Sequence, residues 1–416
     1  MKNYISRRNF LKTAGAATGA AAALGLTGAP LAADGLFIAP EKHPITILYT
    51  NDVHTYIDNE APELTYANIE ALKKSYEDAD MDVLLVDAGD HIQGTAYGAM
   101  DKGASIIKLM NSAGYDLATL GNHEFDYGMD RILTIVNEEA DFPYISCNFK
   151  DLRTGRKVLP SIKYFWRGGR ILAFIGVTTP ETITKSTPAY FMDAGQNEFI
   201  YGIDGGDDGQ ALYDAVQKAI DEAWLYADFV IGLGHLGVDG SSSPWTSREV
   251  IQHTVGFNAF IDGHSHTVMA GETVRDAEGN PVLLTQTGCY LGNIGRMTID
   301  TDRNFTTELI SSDWINAVDD MLGEKIAESP VNFYINDPVT GDRLIRSQET
   351  NMGDLVADGI YAYFNEIEQL DCDIAIMNGG GIRADVPAGD WTYMTCKTVS
   401  PFGNVACLMS VTGAQI

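Results

Sequence analysis

Ile45-Thr46-Ile47-Leu48-Tyr49-Thr50-Asn51-Asp52-Val53-His54 is an apolar run that ends in a carboxylate and an imidazole one residue apart. A short apolar run of this kind reads as a buried strand, and the two polar side chains at its carboxyl end read as metal ligands. The pattern recurs four times. Val83-Leu84-Leu85-Val86 leads into Gly89-Asp90, and Leu117-Ala118-Thr119-Leu120 into Gly121-Asn122-His123-Glu124. Phe229-Val230-Ile231 leads into Gly234-His235, and Phe257 to Ile261 into Gly263-His264-Ser265-His266. The chain has eight histidines and five of them fall in these segments, a concentration that packing does not explain.

Between these runs lie amphipathic helices. Leu212, Val216, Ala219, Ile220 and Ala223 recur at helical spacing, and Leu64 to Leu72 and Ile106 to Met110 are similar. Strand–helix alternation predicts an α/β fold of crossover units with helix-covered sheets. In such folds the loops after the strands' carboxyl ends converge on one side. Ligands more than 200 residues apart in sequence can therefore meet in a single site. Val282 to Gln286 and Met297 to Ile299 read as strands closing a first unit, and Asp313 to Ile326 as a connecting helix. A second unit follows, with a helix near Asn351 to Phe364 and a buried strand at Ile374-Ala375-Ile376-Met377; the 416 residues are too many for one simple core. The Gly/Asp-rich stretch Ile203 to Gln210 lacks the spacing of a calcium loop and reads as an exposed turn.

Two divalent cations sharing a carboxylate need mixed oxygen and imidazole ligands. Asp90 suits the bridge, because a carboxylate offers two oxygens. Asp52, His54 and His266 can complete one site, and Asn122, His235 and His264 the other. Imidazole with carboxylate favours Mn, Zn, Fe or Co over calcium or magnesium, and the sequence leaves the choice among those four open. His123 is adjacent to Asn122 and should point elsewhere in the same cleft. Asp126, three residues on, can hold its imidazole in one tautomer and favour the cationic form.

The N-terminus reads as an address. Ser6-Arg7-Arg8-Asn9-Phe10-Leu11-Lys12 resembles a twin-arginine export signal, followed by an Ala/Gly-rich stretch from Thr13 to Thr27 and a cleavage site near Leu31-Ala32-Ala33. That stretch is too short and too weakly apolar for a membrane span. The expected partners are the twin-arginine translocation machinery during export and a small phosphoester afterwards, with the mature protein periplasmic, extracellular or at the cell surface. A formal net charge of −29 argues against a nucleic-acid polymer. It also opposes long-range attraction of an anionic substrate, but screening limits that field to about 8 Å. Cys147, Cys289, Cys372, Cys396 and Cys407 show no CxxC spacing, and most are expected to be buried thiols.

These motifs resemble the 5′-nucleotidase branch of the calcineurin-like metallophosphoesterases. Asn51-Asp52-Val53-His54, Gly89-Asp90-His91-Ile92-Gln93-Gly94-Thr95 and Gly121-Asn122-His123-Glu124-Phe125-Asp126 carry the likeness in the first unit. Arg346 to Asp354, Asn378-Gly379-Gly380-Gly381-Ile382-Arg383 and Pro401-Phe402-Gly403-Asn404 carry it in the second. The resemblance implies a signal peptide over residues 1–33 and a β-sheet sandwich flanked by helices over 44–312. A connector over 313–345 and a truncated α/β substrate domain over 346–416 complete the expected organisation. It also implies that Arg346 and Arg383 hold phosphate or carboxylate-like groups. Asn378 would contact a base, Gly380 would let backbone approach the ligand, and Phe402 would stack on the base. Family members ordinarily continue beyond Val411-Thr412-Gly413 to a second aromatic that sandwiches the base, so either the sequence is a fragment or the base pocket is incomplete. The implied activity is hydrolysis of nucleoside 5′-monophosphates, with His123 and Asp126 catalytic and a metal-bridging hydroxide as nucleophile. Hydrolysis of 2′,3′-cyclic nucleotides, UDP-sugars or a sulfur ester on the same core stays open. So does a catalytically silent nucleotide-binding or surface protein.

Overall fold

A computed structural model describes residues 42–57, 64–195, 197–313, 323–400 and 406–412. The signal region, most of the expected connector helix and Phe402 lie outside them. The chain divides into two compact units, Met1–Ser312 and Asp313–Ile416.

The first unit is built on two six-stranded sheets. In one the order is Phe305–Ile310, Ile294–Ile299, Ile45–Thr50, Asp82–Asp87, Leu117–Thr119, Tyr144–Ile145. In the other it is Val268–Arg275, Pro281–Thr287, Ala259–Ile261, Phe229–His235, Arg170–Thr178, Ile162–Arg167. In the first sheet the four strands from Ile45–Thr50 to Tyr144–Ile145 run parallel, and Ile294–Ile299 is antiparallel to both its neighbours. In the second the four central strands run parallel and both edge strands antiparallel. The strand Arg170–Thr178 displays the two-residue period that makes a sandwich. Leu172 and Phe174 join Ile47, Leu84, Ile231 and Leu233 in one buried cluster. Ala173, Ile175 and Val177 point the other way, into a second cluster with Leu212, Val216, Ile220, Val250 and Ile251. That second cluster seats the helices Gln210–Ala223 and Ser247–His253 on the outer face. Thr246 and Glu249 form a reciprocal capping box that starts the latter helix. Each fully buried aliphatic or Phe side chain contributes about 1.5–3 kcal/mol.

Because the central strands run in one direction, the loops after Thr50, Asp87, Thr119, Thr178, His235 and Ile261 share one side of the sandwich. The five ligand-bearing segments all begin there, each after a strand.

The second unit packs Ile335, Met352, Ile382, Val386, Trp391 and Val399 into its own small core, beside the helix Asn351–Ala362. Three expectations change. The run Ile374–Met377 is not a strand. It has no partner strand among the described residues, and Ile374 and Ile376 are 58% and 74% exposed. The expected connector helix does not reach Ile326, because Lys325–Ser329 is a strand paired with Gly389–Thr392. Of the cysteines only Cys147 and Cys372 are buried; Cys289 is half-buried, and Cys396 and Cys407 are exposed.

Candidate metal centre

Five of the proposed ligands stand on left-handed backbone. Asp52, His54, Asp90, His264 and His266 have φ of 51°, 49°, 61°, 79° and 52°. Such a conformation is uncommon outside glycine and costs on the order of 1–3 kcal/mol, so it persists only where neighbours over-determine it. Here the loops brace each other: Asp52 N donates to Gly89 O and His54 N to Asp90 O, each at 2.9 Å. Two glycines permit the close approach. A Cβ on Gly121 would stand 2.2 Å from Asp90 Oδ1, and one on Gly263 2.9 Å from Asp52 Oδ2.

The side chains gather into two groups. The ligand atoms of Asp52, His54 and His266 lie within 4.8 Å of one another, as do those of Asp90, His235 and His264. Asp90 Oδ2 stands between the groups, 3.0 Å from His235 Nε2 and 3.8 Å from His54 Nε2. His266 Nε2 lies 3.3 Å from Asp52 Oδ1 and 3.1 Å from His54 Nε2. The other imidazole nitrogens are fixed from outside. His54 Nδ1 donates to Gln93 O at 2.9 Å and His235 Nδ1 to Ala88 O at 2.7 Å. A carbonyl only accepts, so both rings carry the proton on Nδ1 and turn Nε2 inward.

Three buried atoms in this cluster make no well-aligned hydrogen bond: Asp52 Oδ1, Asn122 Oδ1 and His235 Nε2, the last despite its approach to Asp90. A buried polar atom without a partner costs about 1–3 kcal/mol. Cations would satisfy all three, and a set of carboxylate, amide oxygen and imidazole fits divalent transition ions. The residues fit the group.

Charge points the same way. Burial alone would raise the Asp90 carboxyl, but the His235, His123 and His54 imidazoles hold it well below the usual carboxylate range. Burial alone would lower His235, and the Asp90 and Asp52 charges instead push it well above its ordinary value. The Asp52 carboxylate and then Cys289 bring His266 up to about 10. The carboxylates therefore attract protons where they would attract cations.

His123 lies beside this cluster, its ring 5.3 Å from that of His54. Its backbone N–H donates to Asp90 Oδ1 at 2.8 Å, and its Nδ1 donates to Asp126 Oδ2 at 2.6 Å. Burial lowers its pKa, but the Asp126 hydrogen bond and the Asp90 charge more than reverse that. His123 lines a cavity of about 360 Å³ together with Asp90, Asn122, Lys185, Ser242 and His264. That volume suits a small-molecule site.

Sequence reasoning missed the residues that hold the ligand loops. Glu124 is fully buried, and its carboxylate accepts from Asp90 N, His91 N and Gly121 N at 2.8, 2.8 and 2.6 Å. It ties the Asp90 loop to the Asn122 loop. Asp87 accepts from Gly89 N and His91 Nδ1, each at 2.8 Å, while His91 Nε2 meets Tyr144 OH at 2.8 Å. Burial lowers His91, yet Glu124 and Asp87 bring it up to about 9. Glu124 and His91 stood inside the quoted motifs but carried no signal of these roles. Glu181 carried none at all.

In the second unit the turn Asn378–Gly381 closes through Gly381 N donating to Asn378 O at 2.9 Å. Arg383 Nη1 donates to Gly380 O at 3.4 Å, and a Cβ on Gly380 would lie 3.4 Å from an Arg346 guanidinium nitrogen. Arg346, Asn378, Gly380 and Arg383 thus surround one turn, with the three side chains exposed.

A two-sheet sandwich whose parallel strand ends present two adjoining candidate metal sites fits a metal-dependent phosphoesterase. The chain belongs to the calcineurin-like phosphoesterase family, whose model matches residues 45–268, more than half of its length. Residues 326–416 match the 5′-nucleotidase C-terminal domain, and residues 5–25 match the twin-arginine translocation signal, which marks the chain for export across the membrane. No helix among the described residues is long and apolar enough to cross a membrane.

The chain is 28% identical over 428 residues to the trifunctional nucleotide phosphoesterase protein YfkN of Bacillus subtilis, covering 89% of this chain and 27% of that protein. It is 26% identical over 435 residues to a 5′-nucleotidase of Vibrio parahaemolyticus, covering 91% and 74%. Among solved structures, the 5′-nucleotidase precursor from Thermus thermophilus shares the fold, with a TM-score of 0.53 and 24% identity over 87% of this chain and 74% of that one.

Proposed function

We propose that this exported chain hydrolyses nucleoside 5′-monophosphates to a nucleoside and phosphate, using two divalent transition ions. Asp52, His54 and His266 would hold one ion, Asn122, His235 and His264 the other, and Asp90 both. Ions so held supply Lewis acidity toward the phosphoryl oxygens and an acidified water as nucleophile. The chain's own residues do the rest. Nδ1–H of His123 is committed to Asp126, which leaves Nε2 to face the cavity. The Asp126 hydrogen bond and the Asp90 charge favour the protonated imidazole, and in that form Nε2 would donate to the leaving oxygen and place a proton on the departing nucleoside. Arg346 and Arg383 would bind anionic groups of the substrate, and Asn378 the base.

The observation that carries this reading is the gathering of Asp52 Oδ1, Asn122 Oδ1 and His235 Nε2, buried without a well-aligned hydrogen bond, in a cluster whose Asp90, Asn122, His264 and His266 line the cavity. The 5′-nucleotidase relatives favour the substrate class. The Bacillus relative's description as a trifunctional nucleotide phosphoesterase favours a second reading, in which more than one kind of nucleotide ester is cleaved. Phosphate release measured over nucleoside monophosphates, 2′,3′-cyclic nucleotides and UDP-sugars, each with Mn, Zn, Fe and Co, tests both. Turnover of 5′-monophosphates alone supports the first reading, and comparable turnover of cyclic esters the second. No release from any ester with any metal would sink both.

A further inference from the structure

Glu181 belongs to none of the five motifs. It follows the strand Arg170–Thr178 and immediately precedes the short helix Thr182–Lys185, to which its side chain gives no capping hydrogen bond. Its side chain is 13% exposed, and Oε2 accepts from His264 Nε2 at 2.8 Å and from Ser242 Oγ at 2.6 Å. Lys185 Nζ, on the cavity wall, lies 3.9 Å from Oε1. A carboxylate only accepts, so His264 carries its proton on Nε2. That is the reverse of His54 and His235, whose carbonyl partners hold the proton on Nδ1. His264 is therefore left with Nδ1 as its one nitrogen lone pair, in the group it shares with Asp90 and His235.

We propose that Glu181 is the positioning residue of the second metal site, selecting the His264 tautomer and fixing the ring so that Nδ1 faces the cation. The proposal rests on reading His264 as a ligand. A carboxylate behind a ligating imidazole also makes that imidazole a stronger donor than a carbonyl does, and loss of such a partner typically costs 10–100-fold in metal affinity. Ser242 supplies the contrast. It touches the same carboxylate oxygen without touching His264, so a merely structural tie between the two loops would depend on both contacts.

The test uses the full chain stripped with a chelator and titrated with Mn(II), comparing wild type with Glu181→Ala, Glu181→Gln and Ser242→Ala. Wild type should take up two ions. Glu181→Ala should keep one at wild-type affinity and bind the other about 10–100-fold more weakly. Glu181→Gln, whose amide oxygen still accepts from Nε2–H, should lose less, and it carries the test if the alanine variant does not fold. Ser242→Ala should match wild type. In the Zn(II)-loaded chain labelled with ¹⁵N-histidine, one ligand imidazole should show a slowly exchanging Nε2–H that is lost to exchange in Glu181→Ala.

Two ions bound at wild-type affinity by both Glu181 variants would overturn the proposal. So would equal loss of the second ion in Ser242→Ala, or a proton on Nδ1 of His264. A wild-type chain that takes up no ions overturns the metal reading itself, a failure visible in the control before any variant is compared.

Discussion

Phe229–His235 and Ile374–Met377 are both apolar and rich in strand-forming residues, yet only the first is a strand. Phe229–His235 pairs in parallel with Arg170–Thr178 on one side and Ala259–Ile261 on the other, and every one of its residues is buried. Ile374–Met377 has no strand beside it among the described residues, and its isoleucines face outward. Composition states only that a segment gains from burial. Whether it becomes a strand depends on neighbours that can pair its backbone N–H and C=O groups. The same difference separates the two functional regions. The proposed ligands of the first unit are mostly buried and held by other side chains, whereas the proposed substrate contacts Arg346, Asn378 and Arg383 are exposed around one turn.

The sharpest break with that picture would come from Asp90, which stands between both ligand groups. Asp90→Ala should abolish phosphate release from every ester, a simple aryl phosphate included, and elemental analysis should show both ions lost. Retention of one tightly held ion would remove Asp90 from the bridging role. Next in size is His123→Ala, expected to lower kcat by about 10²–10⁴-fold while metal content and KM hold. A missing ion in that variant would place His123 among the ligands.

Proton competition sharpens the contrast from another side. His235 and His266 are both raised by the carboxylates around them, the latter up to about 10, so cation uptake at neutral pH must expel protons. Metal affinity should therefore fall as pH falls, by up to about tenfold per unit for each proton released. A competition titration from pH 6 to pH 8 checks this, and a flat profile would count against both imidazoles as ligands.

Smaller effects test the paired segments directly. Leu233→Ala empties a fully buried site in the sandwich and should destabilise by about 2–5 kcal/mol in a denaturant melt. Ile376→Ala, on the exposed run, should stay within about 0.5 kcal/mol; a large loss there would mean that the run is covered after all. In the second unit, Arg383→Ala should raise KM for a nucleoside monophosphate by roughly 10- to 150-fold, the worth of about 1.5–3 kcal/mol for a charged hydrogen bond. The KM for an aryl phosphate, which carries the same anionic group, should rise as well, and an unchanged KM for both substrates would take Arg383 out of anion binding.

The sequence by itself determined the strands that lead into the candidate ligands and the positions of the side chains at their ends. Alternation and apolar runs are local signals, and Asp52, Asp90, Asn122, His235 and His264 each follow one directly. His123 with Asp126 was equally legible, because the partners are three residues apart. Only the tertiary structure decided how those side chains are held. Glu181 reaches His264 across 83 residues of sequence, Glu124 clamps a loop 34 residues away, and His235 is turned by a carbonyl 147 residues earlier. Tautomers, left-handed turns and the two glycine contacts follow from those long-range hydrogen bonds. The misread strand at Ile374–Met377 has the same cause: pairing across a sheet is a property of the neighbour, and no periodicity within four residues encodes it.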